Sequence, residues 1–356
     1  MFYDIYEQDP SYEEFLSRNL VANKPCLIIS ELVKQWPAYT NWRSLDSLKA
    51  IYGDQIVSVA LCDVRDFSDQ KREDMRVDDA ITRMLDGERL YIKDWHLALR
   101  TQSDFYNTPA IFFDDWMNDY YLRHTDDDFR FVYAGSASTF TGLHRDSDNI
   151  IDRSYSWSAN IVGKKRWVLF PPHTERYLRK EPDNPASEIV YDVRHVDRKT
   201  FKDFDKAEKD SIVIIQEAGQ IIFIPSGWYH QVENIDNCIS INHNWSNSNC
   251  LLDMYSSMKE EYLAVESSVM DIKDILPNKG EWYEVVNDLF AKSSGWNWIT
   301  FFAMLTTALE NTDQDHRPDK KITERKIKLV AAYFLEEYKD MIDSDDRLCN
   351  KINQLS

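Results

Sequence analysis

The chain has 356 residues, 43% of them hydrophobic, with 11 Trp and 19 Tyr, which supplies a substantial core and excludes a disordered polymer. A formal net charge of −19 disfavours nucleic acid or an anionic membrane as the main partner, and is compatible with a basic protein as substrate. No apolar run reaches membrane-spanning length, and the acidic start MFYDIYEQDPSYEEF lacks the layout of a signal peptide, so a cytoplasmic or nuclear protein is expected.

In chain order, SYEEFLSRNLVANKPCLIIS predicts a helix followed by a strand. Ser11 is placed to cap, Glu14 to complete a capping box, and Phe15 and Leu20 to face the core; Pro25 stops the helix before CLIIS. QIVSVAL (55–61) and RLYIKDW (89–95) are further strand candidates, and FFDDWMNDYYL (112–122) has helical spacing. From residue 130 onward the texture changes to short β-rich segments separated by Gly, Pro and Asn-Asp, the pattern of an antiparallel sandwich or barrel. Beyond residue 250 the apolar spacing is helical, interrupted by a charged connector at 311–321. WNWITFFAML (296–305) is apolar enough for a core or for an interface between copies. The five cysteines are scattered without a C-x-x-C pair, so they read as reduced thiols rather than a zinc module or disulfide framework.

Within the β-rich region, TGLHRDSDN holds His144 and Asp146 two residues apart, on one face of an extended strand. Two such groups need a third to hold a metal ion. His230 follows IIFIPSGWY at a strand end, and His243 in SINHNW competes with it. Strand parity puts Ser240, Asn242 and Asn244 on one face, and Ile239, Ile241, His243 and Trp245 on the other. The polar face suits a site and the apolar face suits packing, so His230 is the expected ligand. Two His and one carboxylate leave three positions open on non-haem Fe(II), enough for a bidentate co-substrate and O2.

NIVGKKRWVLFPP (160–172) reads as a hairpin in which Lys165, Trp167 and Leu169 share one face, and Arg166 and Val168 the other. An inward ammonium among apolar neighbours needs an anion, since an unpaired buried charge is costly. The distal carboxylate of 2-oxoglutarate would satisfy it. Three solvated cations are the plain alternative.

TGLHRD, then SWSANIVGKKRWVLFPP, then GQIIFIPSGWYHQVENIDNCISINHNW, resembles the Jumonji-C family of Fe(II)- and 2-oxoglutarate-dependent oxygenases. The resemblance implies an α+β fold: a double-stranded β-helix (cupin, jelly-roll) barrel with an N-terminal α/β extension and a C-terminal helical region. It suggests an extension over 1–95, a barrel over 96–262 and helices over 263–356. It implies His144, Asp146 and His230 as iron ligands, and Lys165 with Thr141 for the far carboxylate of 2-oxoglutarate. Asn244 and Asn242 would lie near the metal end, with Tyr133 and Ser158 as further lining. NKPCLIISELVKQWPA followed by SLDSLKAIYG looks like the N-terminal region of hydroxylase-type members, and the closing motifs with the helical tail resemble those of a lysyl hydroxylase of translation release factor one. That release factor is therefore the implied protein partner, with homodimer formation through the C-terminal helices as a further expectation.

Two features depart from the family pattern. DSDNIIDRS (146–154) is longer than the usual loop and adds Asp148 and Asp152 as competing carboxylates. Thr141 and His144 also differ in strand parity, which a bulge near Gly142 would reconcile. Demethylation of N-methyl-lysine is a rival activity, although demethylating members often carry glutamate as the second ligand, where this chain has Asp146. A metal-free binding scaffold is a third reading, and it has no reason to keep the trio and Lys165 together.

Overall fold

The protein is described from a computed structural model, over residues 2–66, 69–101, 104–146, 153–311, 320–344 and 346–355. The chain groups into two compact units, one formed by Met1–Pro109, Phe129–Arg145 and Ser156–Asn244, the other by Ala110–Asp128, Asp146–Tyr155 and Trp245–Ser356.

The first unit is a β-sandwich. Its strands are β1 (Asp4–Tyr6), β2 (Cys26–Ile29), β3 (Ile56–Asp66), β4 (Asp69–Arg76), β5 (Leu90–Trp95), β6 (Arg130–Gly135) and β7 (Phe140–His144). They continue as β8 (Tyr155–Val162), β9 (Lys165–Phe170), β10 (Ile212–Gln216), β11 (Gln220–Ile224), β12 (Tyr229–Asn234) and β13 (Cys238–Trp245). A nine-stranded sheet runs β1-β2-β11-β8-β13-β6-β5-β3-β4, and a four-stranded sheet runs β10-β9-β12-β7. From β6 to β13 the chain changes sheet at every step except between β9 and β10, which pair within the smaller sheet, the order of a jelly roll; β1 to β5 widen the larger sheet at both edges.

The smaller sheet shows why the sequence folds this way. On its inner face Trp167, Leu169, Ile212, Ile214 and Val232 pack with Ile222 and Ile224. On its outer face Val168, Phe170, Leu143 and Tyr229 pack against Leu178, Val190 and Phe204. A strand buried on both faces reads as a continuous apolar run, as WVLF does. Each such side chain contributes about 1.5–3 kcal/mol of burial. Lys165 falls on the inner face by the same alternation.

The expected hairpin at 160–172 does not form. β8 pairs with β11, whereas β9 pairs with β10 and β12, so Gly163 and Lys164 carry the chain from one sheet to the other. Gly163 adopts φ +77°, and a Cβ there would lie 2.3 Å from the Asn237 carbonyl oxygen. The link between β12 and β13 makes the same crossing beside it, and the Ile235 N–H donates to the Lys164 carbonyl at 2.8 Å. The two corners are bonded to each other where a hairpin would have bonded its strands.

The N-terminal expectation holds in outline. Ser11 accepts from the Glu14 N–H, but the Glu14 carboxylate turns to Arg18 at 2.9 Å instead of completing the box. The helix Tyr12–Phe15 then widens into a π-helical turn, Leu16–Leu20, before β2.

The second unit is helical, and its largest helices are Leu251–Ser268, Lys279–Ser294, Trp298–Glu310 and Lys320–Glu337. Asn278 and Asn297 cap two of them, accepting from the Glu281 and Thr300 N–H groups. Trp298 sits among Phe334 at 4.8 Å, Tyr255 at 5.7 Å and Phe301 at 6.0 Å. The apolar stretch at 296–305 is therefore spent on this core, with Trp298, Phe301, Phe302 and Met304 fully buried. No described helix is long and apolar enough to cross a membrane.

Candidate active site

The end of β7 and the start of β12 lie side by side, with His144 directly opposite His230. Their rings are 4.3 Å apart between centroids. Ligand atoms of His144, Asp146 and His230 all lie within 4.8 Å of one another. His230 is 3% exposed.

Both rings are oriented for a metal. Nδ1 of His144 faces the Gly142 carbonyl at 2.8 Å, and Nδ1 of His230 faces the Trp228 carbonyl at 3.3 Å. A carbonyl only accepts, so each Nδ1 carries a proton and Nε2 is left as the nitrogen to bind a metal. Two imidazoles and one carboxylate form the facial donor set suited to Fe(II), with other coordination positions left open. The residues present fit that ion.

The expected bulge is found. His230 pairs with His144 but Val232 pairs with Thr141, so β7 has one extra residue between them. Residues directly opposite on neighbouring strands share a face, and His230 and Val232 share theirs. Thr141 and His144 consequently both face inward. Gly142 permits this, because a Cβ there would meet the Tyr191 ring at 2.8 Å.

Further along the same inner face of the smaller sheet, where Asn234 of β12 pairs with it, Lys165 is 1% exposed. Its Nζ donates to Ser240 Oγ at 2.8 Å and Tyr91 Oη at 3.2 Å. Among the described residues no carboxylate pairs with it. Burial pushes its pKa down to about 8. An ammonium held only by neutral hydroxyls matches the missing partner of a carboxylate ligand. Its neighbour Lys164 is solvated and pairs with Glu217 at 2.8 Å.

The remaining candidates divide. Ser240 and Ser158 both donate to Asn242 Oδ1, at 2.9 and 3.1 Å, which fixes the Asn242 amide beside the Lys165 cluster. Asn244 is 8% exposed on the same face of β13. The Tyr133 hydroxyl is already committed, donating to Asp94 at 2.6 Å. His243 points the other way, stacked on Trp157 at 4.1 Å with Tyr106 Oη 2.8 Å from Nε2. Burial, aided by the charge of Arg130, holds it neutral. Asp148 and Asp152 lie outside the described residues.

Sequence reasoning missed Tyr91 and Lys93. Both lie on one face of β5, and the parity of RLYIKDW carried that signal. Lys93 is 2% exposed, donates to Gln70 Oε1 at 2.8 Å and lies 5.5 Å from the centroid of the Tyr91 ring. Gln70 in turn donates to the Phe140 carbonyl at 2.9 Å, tying β4 to the start of β7.

A profile for a cupin-like domain matches residues 12–250. The chain is 35% identical over 321 residues to a mouse protein named 2-oxoglutarate and iron-dependent oxygenase JMJD4, covering 84% of this chain and 73% of that protein. The human protein of that name is 34% identical over 323 residues, covering 84% and 74%. An Arabidopsis thaliana protein named arginine-specific demethylase JMJ20 is 36% identical over 325 residues, covering 83% and 67%.

Proposed function

Since the chain belongs to the cupin-like, Jumonji-C iron- and 2-oxoglutarate-dependent oxygenases, we propose that it is a protein hydroxylase acting on a side-chain carbon of a lysine in translation release factor one. The observation that carries the reaction class is that one inner sheet face carries both the two histidines of an open two-histidine, one-aspartate set and a buried ammonium with no carboxylate partner among the described residues. The motifs from QEAGQIIFIPSGWYH to ISINHNW support the lysyl substrate, and the acidic surface suits a basic partner.

Iron, 2-oxoglutarate and dioxygen supply the oxidising chemistry: the ketoacid loses carbon dioxide and keeps one oxygen atom as succinate, and the other oxygen becomes a hydroxyl on the substrate carbon. The chain's own part is to bind and orient. His144, Asp146 and His230 would hold the iron. Lys165, helped by Thr141 and the Tyr91 hydroxyl, would hold the far carboxylate through charge-assisted hydrogen bonds. Asn244 would steady the metal end, whereas Asn242, expected there too, is bonded to Ser240 and Ser158 and would instead keep Ser240 in place beside Lys165. Trp167, whose ring lies 5.9 Å from that of His230, would help keep bulk water from a bound metal.

Anaerobic incubation with Fe(II), 2-oxoglutarate and purified release factor one, followed by oxygen and peptide mass analysis, tests this reading. One oxygen added to a lysine supports it. Consumption of 2-oxoglutarate with no oxygen on any lysine removes the substrate and leaves the chemistry. The Arabidopsis relative's name gives a second reading, demethylation, and loss of a methyl group from methylated peptides in the same assay would favour it.

A further inference from the structure

The outer face of the four-stranded sheet carries a charged assembly that the chemistry above does not use. Arg145 follows His144 in the chain, and Tyr229 precedes His230, so each is bonded directly to a residue of the site. Glu175, in the turn Pro172–Leu178 over this face, reaches both. Its Oε2 accepts from Arg145 Nη1 at 3.3 Å, and its Oε1 from the Tyr229 hydroxyl at 3.3 Å. Arg179 Nη2 donates to the same Oε1 at 2.6 Å. The Arg145 guanidinium also lies over the Tyr229 ring, 5.3 Å from its centroid.

These side chains are largely withdrawn from water, at 17% exposure for Arg145, 29% for Glu175 and 12% for Arg179. Burial opposes the charge on Glu175, but the Arg179 hydrogen bond and the two guanidiniums hold its carboxyl below the usual range, so it is ionised at neutral pH. A pair assembled for stability alone needs one cation per anion, and such pairs return little net free energy. Here one carboxylate spans the two strands that carry the histidines and bonds to the residue next to each.

We propose that Glu175 is a positioning residue for the metal centre, a clamp on the outer face that fixes the separation and orientation of His144 and His230 through Arg145 and Tyr229. Each imidazole is already oriented within its own strand by a carbonyl two residues earlier, and the β7–β12 ladder sets the register of the two strands, with its bulge between this pair and the rest of the ladder. The clamp adds a side-chain constraint at the end of the ladder, on the far side of that bulge.

The test is Mn(II) affinity of the full chain without co-substrate, measured by calorimetry, beside the unfolding midpoint of the metal-free protein. Glu175→Gln should weaken Mn(II) binding roughly 10- to 100-fold, the usual cost of losing an outer-shell partner. Tyr229→Phe removes one contact and nothing from the core, so it should weaken binding by a smaller factor even if the glutamine variant folds poorly. The double variant should bind no worse than Glu175→Gln alone, because both changes break one device. Arg179→Met removes a partner of the same carboxylate without touching either histidine strand; it should lower the unfolding midpoint and leave Mn(II) affinity in place. Mn(II) affinity within about twofold of the parent in both Glu175→Gln and Tyr229→Phe overturns the clamp. Equal weakening by Arg179→Met overturns it too, by showing a general packing effect. A parent chain that binds no Mn(II) overturns the metal site and the clamp together.

Discussion

Between the two sheets, buried positions beside the apolar cluster of Trp167 and Leu169 go to Lys165, Ser158, Ser240, Asn234 and Gln216, whereas the helices from Leu251 onward bury Trp282, Trp298, Phe290, Phe301, Phe302 and Phe334. Both regions are dry, and they spend that dryness differently. An aromatic side chain gains by leaving water, while a hydroxyl, amide or ammonium loses unless it is paired. Neutral partners satisfy most of the polar groups in the sandwich: Gln216 bonds the Ser158 and Gln220 carbonyls at 2.7 and 2.9 Å, and Asn234 donates to Thr139 at 2.9 Å. Lys165 alone would bring a charge to that set without an anion. The contrast predicts that inward polar groups serve ligands more than the fold, and that the helical core serves the fold alone.

The largest expected effect is on turnover. His144→Ala or Asp146→Ala should reduce succinate production to the limit of detection, because a metal held by two of three groups is both weakly bound and wrongly open. Their unfolding midpoints should stay near the parent's, since the metal-free fold gains nothing from clustering these groups. Succinate release near the parent rate would break the assignment. A collapse of the fold would break the contrast instead.

The helical side of the contrast is tested by Trp298→Ala, which leaves a cavity among Phe334, Tyr338 and Tyr262. Deleting such a side chain costs about 3–5 kcal/mol, read as a shift in the denaturant midpoint. A loss below about 1 kcal/mol would mean that the helices are packed loosely enough to collapse around the gap.

How much of this was legible beforehand follows the range of the interactions involved. Strand alternation is local, so the burial of Lys165 and the division between His230 and His243 could be read from parity. The bulge at Gly142 was also accessible, as the one device that reconciles Thr141 with His144. The crossing at Gly163 was not: a Gly-Lys turn between two apolar strands looks the same whether the strands pair or separate, and the choice depends on the β12–β13 corner some seventy positions away. Tyr91 and Gln70 were missed for a similar reason. Their roles depend on β5 and β4 extending the larger sheet as far as β6 and β7, which no local pattern states. Glu175 sits in a turn whose only sequence signal is Pro-Pro.

A sharper form of the contrast separates adjacent lysines. Lys165→Met should raise the 2-oxoglutarate requirement roughly 10- to 150-fold, the equivalent of a charge-assisted hydrogen bond of about 1.5–3 kcal/mol. Lys164→Ala should change it little, because Lys164 is exposed and paired with Glu217. The metal-free Lys165→Met protein should be no less stable than the parent. An unchanged 2-oxoglutarate requirement would transfer the anion to another cation, and Lys93 is the next to test.

The smallest effect is the most diagnostic of why Lys165 is buried. Its folded pKa is pushed down to about 8, against about 10.4 for a free lysine. Between those values the unfolded chain binds the proton that the folded chain has released, so folding stability rises with pH across the window. The slope from one group cannot exceed about 1.4 kcal/mol per pH unit. Tyr91 and Cys238 contribute with the opposite sign: burial raises the Tyr91 phenol and pushes the Cys238 thiol up to about 11, so the unfolded chain releases those protons first and their share of stability falls with pH. Burial lowers Lys93 as it does Lys165, and these three groups titrate in parent and variant alike. Subtracting the Lys165→Met profile from the parent's therefore isolates Lys165. The difference should grow in the parent's favour from about pH 8 to about pH 10. Over the same range, 2-oxoglutarate affinity should fall in the parent and stay level in the variant, because the anion binds the ammonium form. A flat stability difference would show that Lys165 is not desolvated as drawn. A flat affinity profile in the parent would show that its proton is not what the co-substrate binds.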